Sequence, residues 1–115
     1  LHIYLSVPFV LSWSLFDALA CGCVVLAGDV LPVREIIQPG ENGLLEPLFD
    51  EDGLTATALR VLDDPPAFRP LGTAARRAIE ENYSLEVAVP RLKAYFERVA
   101  TQTVREKLPI PSFAD

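Results

Sequence analysis

Five consecutive apolar residues, Cys23-Val24-Val25-Leu26-Ala27, follow directly on a helical pattern that ends at Gly22. The run does not alternate between polar and apolar residues, which is typical of a parallel β-strand covered on both faces. An earlier apolar segment, 2–6, predicts another strand that stops before Pro8, because proline cannot donate to a sheet ladder. Between the two strands, helical spacing is kept by Leu15, Phe16, Leu19 and Ala20. Strand, helix and strand predict a βαβ unit, and so a fold of the α/β class.

The rest of the chain predicts a third short strand and further helices. The strand is Gly43-Leu44-Leu45-Glu46, after the turn-rich segment 38–43. Further helices are predicted from Pro32 to Ile37, after a cap at Asp50, from Thr73 to Asn82 and after a cap at Ser84. We expect a turn around Phe68, and a kink or a fresh start at Pro90. The prediction is a partial parallel sheet of about three strands with about five flanking helices, in one domain over residues 1–106, followed by an extended tail over 107–115.

Polar residues lie where the first helix begins. Ser12, Trp13 and Ser14 form a turn at the helix start, and Asp17 follows one turn inside. A helix N-terminus offers unpaired N–H groups and the positive end of its dipole, so this turn could hold a phosphate, while the Asp17 carboxylate accepts hydrogen bonds from sugar hydroxyls. The same spacing also fits a capping box, with Ser14 as N-cap and Asp17 at the third helical position. On spacing alone, the capping box is the commoner explanation.

A second group of polar residues follows the second strand. Gly28-Asp29 ends this strand, and the carboxyl edge of an α/β sheet usually carries the ligand loops. Arg34 and Glu35 lie shortly after it and either form a solvated surface pair or face the cleft. Because charged residues are mostly exposed, we expect the solvated pair.

Three stretches together resemble the C-terminal domain of a family 4 retaining glycosyltransferase with the two-domain GT-B fold. They are 9–27, Pro32-Val33-Arg34-Glu35-Ile36-Ile37 and Glu41-Asn42-Gly43-Leu44-Leu45, and the likeness covers roughly residues 1–100. The family signature has two glutamates separated by seven residues, the second of which opens an E-A-x-A-x-G run. Aligned on Ala18-Leu19-Ala20-Cys21-Gly22, the second glutamate falls on Asp17 and the first falls on Phe9.

The resemblance implies a nucleotide-sugar site in this chain. In the family, the second glutamate holds the ribose and backbone N–H groups between the two glutamates hold the diphosphate. Carried over, these roles fall on Asp17 and on the turn of Ser12, Trp13 and Ser14. The first glutamate usually lies near the donor sugar, so Phe9 leaves the sugar contacts and the catalytic residues unassigned.

The resemblance also implies an activity for the intact protein. A hexosyltransferase of this kind transfers a sugar from a nucleotide-sugar donor to an acceptor with retention at the anomeric carbon and without a required metal or other cofactor. The chain has no methionine, even at position 1, and opens directly in a strand-like run. We therefore expect a segment of a longer protein, corresponding to the second half of a GT-B C-terminal domain, whose N-terminal portion supplies the acceptor contacts. We expect the segment alone to be inactive.

Composition limits the classes of partner that we expect for the chain and the cellular compartment in which we expect it. The net charge of −6 disfavours binding to nucleic acid or to anionic membrane, since both need a basic face. The single histidine, His2, has no carboxylate or thiol at ligand spacing, so no metal site is predicted. Cys21 and Cys23 are too close in sequence for easy disulfide geometry, which fits a reducing cytoplasm. Half of the residues are hydrophobic, so we expect the segment to self-associate.

Two other classes of protein remain open. A noncatalytic binding or assembly domain that keeps the GT-B scaffold is supported by Phe9 at the position of an acid. Another α/β nucleotide-binding enzyme is disfavoured, because the sequence has no G-x-G-x-x-G or Walker-type loop.

Overall fold

The computed structural model describes residues 1–7 and 9–101, which form three strands and five helices. The strands are β1 (His2–Tyr4), β2 (Val25–Gly28) and β3 (Leu44–Glu46). The helices are α1 (Trp13–Ala20), α2 (Leu31–Arg34), α3 (Glu51–Asp63), α4 (Pro65–Tyr83) and α5 (Leu85–Thr101). The chain divides into two compact units, Leu1–Ser84 and a second that starts at Leu85. The predicted tail over 107–115 lies outside the described residues.

The three strands form one parallel sheet in the order β1-β2-β3. His2 pairs with Val25 between β1 and β2, and Leu26 pairs with Leu44 between β2 and β3. All four residues of β2 are buried, as the uninterrupted apolar run requires of a central strand covered on both faces. The predicted α/β class and the three-stranded parallel sheet with flanking helices are therefore confirmed.

Helix α1 lies against the sheet and ends as its sequence predicts. Leu15, Ala18 and Leu19 are buried in the core beside β2. Gly22 has a φ of 72°, and the N–H groups of Gly22 and Cys23 bond to the carbonyls of Leu19 and Ala18. These two bonds satisfy carbonyls that the last turn of a helix leaves open. The α1–β2 connection is therefore short and fixed, which fixes the start of α1 relative to the sheet.

The segment between α2 and β3 is held by a buried amide. Asn42 is 7% exposed; its side chain donates to the Ile36 carbonyl at 3.0 Å and accepts from the Gln38 N–H at 2.7 Å. Both polar ends of the side chain are thus satisfied inside the core, as burial of an amide requires. The predicted turn over 38–43 and the strand after it are found at these positions.

Helix α3 begins at the predicted cap. The Asp50 side chain accepts from the Gly53 N–H at 3.0 Å, and Thr57 donates to the Glu46 carboxylate at 2.6 Å. The second bond ties α3 to the end of β3.

Helix α4 differs from its prediction. It starts at Pro65 rather than at Thr73, and the residues around Phe68 are helical rather than a turn. Asp64 caps this start by accepting from the Ala67 N–H at 3.3 Å. Proline is suited to the first helical positions because it has no N–H to leave unpaired there, so the pair Pro65-Pro66 starts this helix eight residues before the predicted start at Thr73.

Helix α5 runs without a break through Pro90, so the predicted fresh start is wrong. Five of its apolar residues are exposed and recur at alternating spacings of four and three: Leu85, Val89, Leu92, Phe96 and Val99.

Candidate functional site

The predicted site residues Ser12, Trp13 and Ser14 come together at the start of α1, at the carboxyl edge of the sheet. Ser12 is the N-cap, and its Oγ accepts from the Ser14 N–H at 3.1 Å. The two serine hydroxyls are 2.7 Å apart. The turn is thus a compact set of polar groups at the positive end of a helix dipole.

The capping-box alternative is wrong. Because Ser12 rather than Ser14 is the N-cap, Asp17 occupies the fifth helical position instead of the third. Its carboxylate is exposed, and across residues 1–7 and 9–101 it makes no hydrogen bond or ion pair. The Asp17 side chain therefore has no capping role, and it lies one turn inside the helix from the Ser12–Ser14 turn.

Most of the backbone N–H groups at this turn already have acceptors. The Ser12 N–H donates to the Tyr4 hydroxyl at 3.1 Å, and the Leu15 N–H donates to the Ser12 carbonyl at 3.1 Å. The Ser14 N–H is used by the cap, whereas the Trp13 N–H has no acceptor within the described part of the chain. An anion at the turn can therefore bond the Trp13 N–H and the serine hydroxyls directly. It reaches the Ser14 N–H only by displacing the Ser12 hydroxyl.

A largely apolar groove of about 570 Å³ opens beside this turn. Four separate segments meet in it: the loop after β1, the first turn of α1, the region of α2 and the end of α4. Its lining residues are Phe9, Val10, Leu11, Trp13, Phe16, Pro32, Glu35 and Tyr83. Phe9 and Trp13 are 80% and 85% exposed, while Phe16 and Tyr83 form an edge-to-face pair with ring centroids 5.3 Å apart. Trp13 thus belongs to both the helix-start turn and the groove.

Arg34 pairs with Asp29 and not with Glu35, which corrects the expected surface pair. The guanidinium donates twice to the Asp29 carboxylate, through Nε to Oδ1 and through Nη2 to Oδ2 at 2.6 Å. This hydrogen bonding lowers the pKa of the Asp29 carboxyl below its ordinary value and raises the pKa of Arg34. Glu35 is left without a partner among the described residues, and it lines the groove.

Two residues of the site, Tyr4 and Tyr83, were not predicted from the sequence. The sequence patterns place Tyr4 in the first strand, and they give no role to Tyr83, which follows the predicted helix from Thr73 to Asn82. Their roles depend on contacts between distant segments, the first with the Ser12 N–H and the second with Phe16. An amphipathic tyrosine inside an apolar strand was the available signal for Tyr4, since a buried tyrosine hydroxyl usually has a hydrogen-bond partner.

The polar side chains of the described residues do not form a metal site. Across residues 1–7 and 9–101, no three His, Cys, Asp or Glu side chains lie close enough together to hold a metal ion. Cys21 and Cys23 are free thiols. Within the described residues no helix has the length and apolar character needed to cross a bilayer.

Residues 10–82 match the family described as glycosyl transferases group 1. This region contains the helix-start turn, Asp17 and six of the eight groove residues. The chain therefore belongs to the glycosyl transferases group 1 family.

Curated relatives of the chain carry the names of sugar-transfer enzymes. The N-acetyl-alpha-D-glucosaminyl L-malate synthase of Bacillus anthracis is 29% identical over 82 residues, which are 71% of this chain and 22% of the relative. The GDP-mannose-dependent monoacylated alpha-(1-6)-phosphatidylinositol monomannoside mannosyltransferase of Corynebacterium glutamicum is 34% identical over 76 residues, which are 66% of this chain and 20% of the relative. The chain thus spans about a fifth of the length of these relatives.

Solved structures with the GT-B fold have similar architecture. A sucrose-phosphate synthase from Thermosynechococcus elongatus superimposes with a TM-score of 0.70 at 29% identity, over 80% of this chain and 23% of the synthase. Anabaena HepE, solved in complex with UDP-glucose, gives a TM-score of 0.74 at 17% identity, over 87% of this chain and 27% of HepE. The HepE similarity supports the fold alone.

Proposed function

We propose that this chain is part of the C-terminal, nucleotide-binding domain of a family 4 retaining glycosyltransferase. The observation that carries the proposal is the family match over residues 10–82, which contains the start of α1 at the carboxyl edge of a parallel sheet. Ligands of open α/β sheets bind at this edge. The names of the relatives and the UDP-glucose in the HepE structure support a nucleotide-sugar donor.

In this proposal the helix-start turn binds the diphosphate of the donor nucleotide, and Asp17 binds its ribose. The Trp13 N–H and the hydroxyls of Ser12 and Ser14 bind the diphosphate, aided by the positive end of the α1 dipole. The unpartnered, exposed carboxylate of Asp17 accepts hydrogen bonds from the ribose hydroxyls. No basic side chain is assigned to the diphosphate, and the groups that contact the acceptor lie outside this chain. The acceptor itself is not identified.

The proposed reaction moves a hexose from the nucleotide to the acceptor with retention at the anomeric carbon, in the cytoplasm and without a required metal or other cofactor. Because the chain corresponds to about a fifth of its relatives, we expect it to bind the nucleotide part without turning over a nucleotide sugar by itself. Incubation of the 115-residue chain with UDP-glucose and a panel of hexose acceptors, followed by product analysis, checks this. Any transfer or hydrolysis above a buffer control contradicts it.

Asp17→Asn tests the ribose assignment. We expect the variant to keep its fold and to bind UDP roughly tenfold to a hundredfold more weakly, since a hydrogen bond to a charged group contributes on the order of 1.5–3 kcal/mol. The measurement is calorimetric titration of UDP into the protein that carries this chain. The matched control is Asp52→Asn, which removes an exposed helical carboxylate from α3.

The outcome shows whether Asp17 binds the ribose or has only a structural role. Weaker binding in Asp17→Asn with an unchanged melting temperature supports the proposal, provided that Asp52→Asn binds like the wild type. Equal UDP affinity in all three proteins would remove Asp17 from the site.

A noncatalytic binding or assembly domain is the second candidate function. The observation that favours it is Phe9, an exposed aromatic side chain at the position where the resembling family has an acid. Product analysis of the intact protein with bound nucleotide sugar separates the two functions. Donor that binds and remains unconverted with every acceptor supports the noncatalytic domain.

A further inference from the structure

Helix α5 carries an exposed apolar face with the spacing of a coiled-coil seam. None of the residues of α5 is buried. Its exposed apolar residues at alternating spacings of four and three correspond to the a and d positions of a heptad repeat. A continuous exposed apolar face of this kind favours contact with another apolar surface. We call its five residues the α5 stripe: Leu85, Val89, Leu92, Phe96 and Val99.

Charged side chains flank the α5 stripe on one side only. With the stripe residues at the a and d positions, Glu86 and Lys93 both occupy e positions. The g positions on the other side hold Ala88 and Tyr95. The Lys93 ammonium lies 3.8 Å from the carboxylate of Glu97 on its own helix, which is a long contact between exposed side chains. The ammonium of Lys93 can therefore bond to a carboxylate that comes closer.

These flanking residues select the orientation in which two copies of α5 fit together. In a parallel pair, each e position faces a g position of the second copy, so Lys93 faces Ala88 and no opposite charges meet. In an antiparallel pair, e positions face e positions, so Glu86 of each copy meets Lys93 of the other. Two such ion pairs form across a symmetric interface. Electrostatic complementarity, which fixes orientation and register, favours the antiparallel pair.

One antiparallel register satisfies both the apolar contacts and the charges. It places Leu85 opposite Phe96 and Val89 opposite Leu92, so that four apolar layers form, each between an a and a d residue. The same register brings the opposite charges of the e positions together and sets the small g residue against the large one. If one copy slides by seven residues, the two Lys93 side chains face each other and repel.

We propose that α5 is a dimerisation helix that pairs in antiparallel orientation with α5 of a second copy of this chain. The α5 stripe supplies the apolar layers, and two ion pairs between Glu86 and Lys93 set the register. The inference does not depend on the proposed nucleotide site, whose residues belong to the other compact unit of the chain. Because the interface has few layers, we expect a weak dimer, with a dissociation constant on the order of 100 μM.

A zero-length cross-link tests the contact in the unchanged 115-residue chain. A carbodiimide joins an amine to a carboxylate that touches it, so we expect an amide bond between Lys93 and Glu86. A mixture of isotope-labelled and unlabelled chain shows by mass spectrometry whether the two linked residues come from different copies. At concentrations above the dissociation constant, we expect the peptide that joins a labelled Lys93 to an unlabelled Glu86.

Charge reversal tests the register. Glu86→Lys and Lys93→Glu each create two like-charged pairs and should raise the dissociation constant of the dimer at least about fivefold, measured by sedimentation equilibrium. The double variant restores opposite charges and should return to within about twofold of the wild type. The control is Arg91→Glu, which makes the same charge change as Lys93→Glu at a c position, on the outer side of α5, and should dimerise like the wild type. Circular dichroism establishes that each variant keeps its helices.

Two results would overturn the proposal. One is the absence of a cross-link between Glu86 and Lys93 of different copies at high concentration. The other is a double variant that dimerises no more tightly than the single variants. Self-association that none of these substitutions alters takes place through another surface, such as the sheet, and contradicts the proposal as well.

Discussion

Tyr4 connects the core of the molecule to the turn that begins α1. Its ring is 7% exposed and packs in the main apolar core, and its hydroxyl accepts from the Ser12 N–H. Ser12 in turn caps the helix through Ser14. The position of the proposed phosphate turn is therefore set by a side chain of β1 that contacts no ligand itself.

Tyr4→Phe tests this positioning role. The ring stays in the core, but the Ser12 N–H loses its acceptor and the turn loses its anchor. We expect UDP to bind about threefold to tenfold more weakly, in line with a neutral hydrogen bond of about 1 kcal/mol, while the affinity for uridine, which has no phosphate, is unchanged. Titration calorimetry with both ligands measures the difference.

The control for Tyr4→Phe is Tyr95→Phe, which removes an exposed hydroxyl on α5. An equal loss of UDP and uridine affinity in Tyr4→Phe would indicate a general effect on the fold instead of a positioned turn.

At the scale of elements, two helices contain a proline and remain continuous. Pro70 and Pro90 are each the sixth residue of their helices, α4 and α5. Each removes one hydrogen bond, to the carbonyl of Pro66 or Glu86, and both of these residues are exposed. Water can satisfy an exposed carbonyl, so the cost is smaller than in a buried helix. This is why the expected turn and fresh start are not found.

The contact between α4 and the end of α1 depends on the absence of a side chain. Gly72 is buried, and a Cβ atom at this position would overlap the carbonyl oxygen of Gly22. Because Gly22 has a φ of 72° in the turn that ends α1, its carbonyl has little freedom to move. Helices α1 and α4 therefore approach each other through two glycines.

Gly72→Ala tests this close approach. Alanine is the better helix former by roughly 1 kcal/mol, yet we expect the free energy of unfolding to fall by about 1–3 kcal/mol, because backbone must move to accommodate the methyl group. Urea unfolding followed by circular dichroism measures the change. Thr73→Ala, at the exposed neighbouring position, should lie within about 0.5 kcal/mol of the wild type. A Gly72→Ala protein more stable than the wild type would show that the contact is not tight.

At the scale of the whole molecule, the sheet has an open edge at β1. This strand pairs only with β2, so one row of its backbone groups has no strand partner among the described residues. Ile3, in β1, and Leu5, just after it, are 50% and 52% exposed. An open edge with apolar side chains favours pairing with another strand.

We predict that the 115-residue chain self-associates through this edge. Light scattering over a range of concentrations should show a molecular mass above that of the monomer. Ile3→Lys, which places a charge on the edge strand, should lower the mass toward the monomer value. The control is Leu31→Lys, which changes an exposed apolar residue at the start of α2. A strictly monomeric wild type at high concentration contradicts the prediction.

The local parts of the fold and of the candidate site follow from the sequence. The apolar run 23–27 predicted a central strand, because a parallel strand covered on both faces buries consecutive side chains. Gly22 and Asp50 specified a helix end and a helix start, because each acts through hydrogen bonds to residues within a few positions. The helix-start turn of Ser12, Trp13 and Ser14 was located for the same reason, although its N-cap was assigned to the wrong serine.

The tertiary structure decided the contacts between residues that are far apart in the chain. Periodicity does not show that Tyr4 holds Ser12, that Gly72 meets Gly22, or that Phe9 and Tyr83 line one groove. The choice of Asp29 over Glu35 as the partner of Arg34 likewise depends on where the end of β2 places the Asp29 carboxylate. Local hydrogen bonding and hydrophobic spacing depend on residues that are close in sequence, whereas these contacts form only when separate elements pack together.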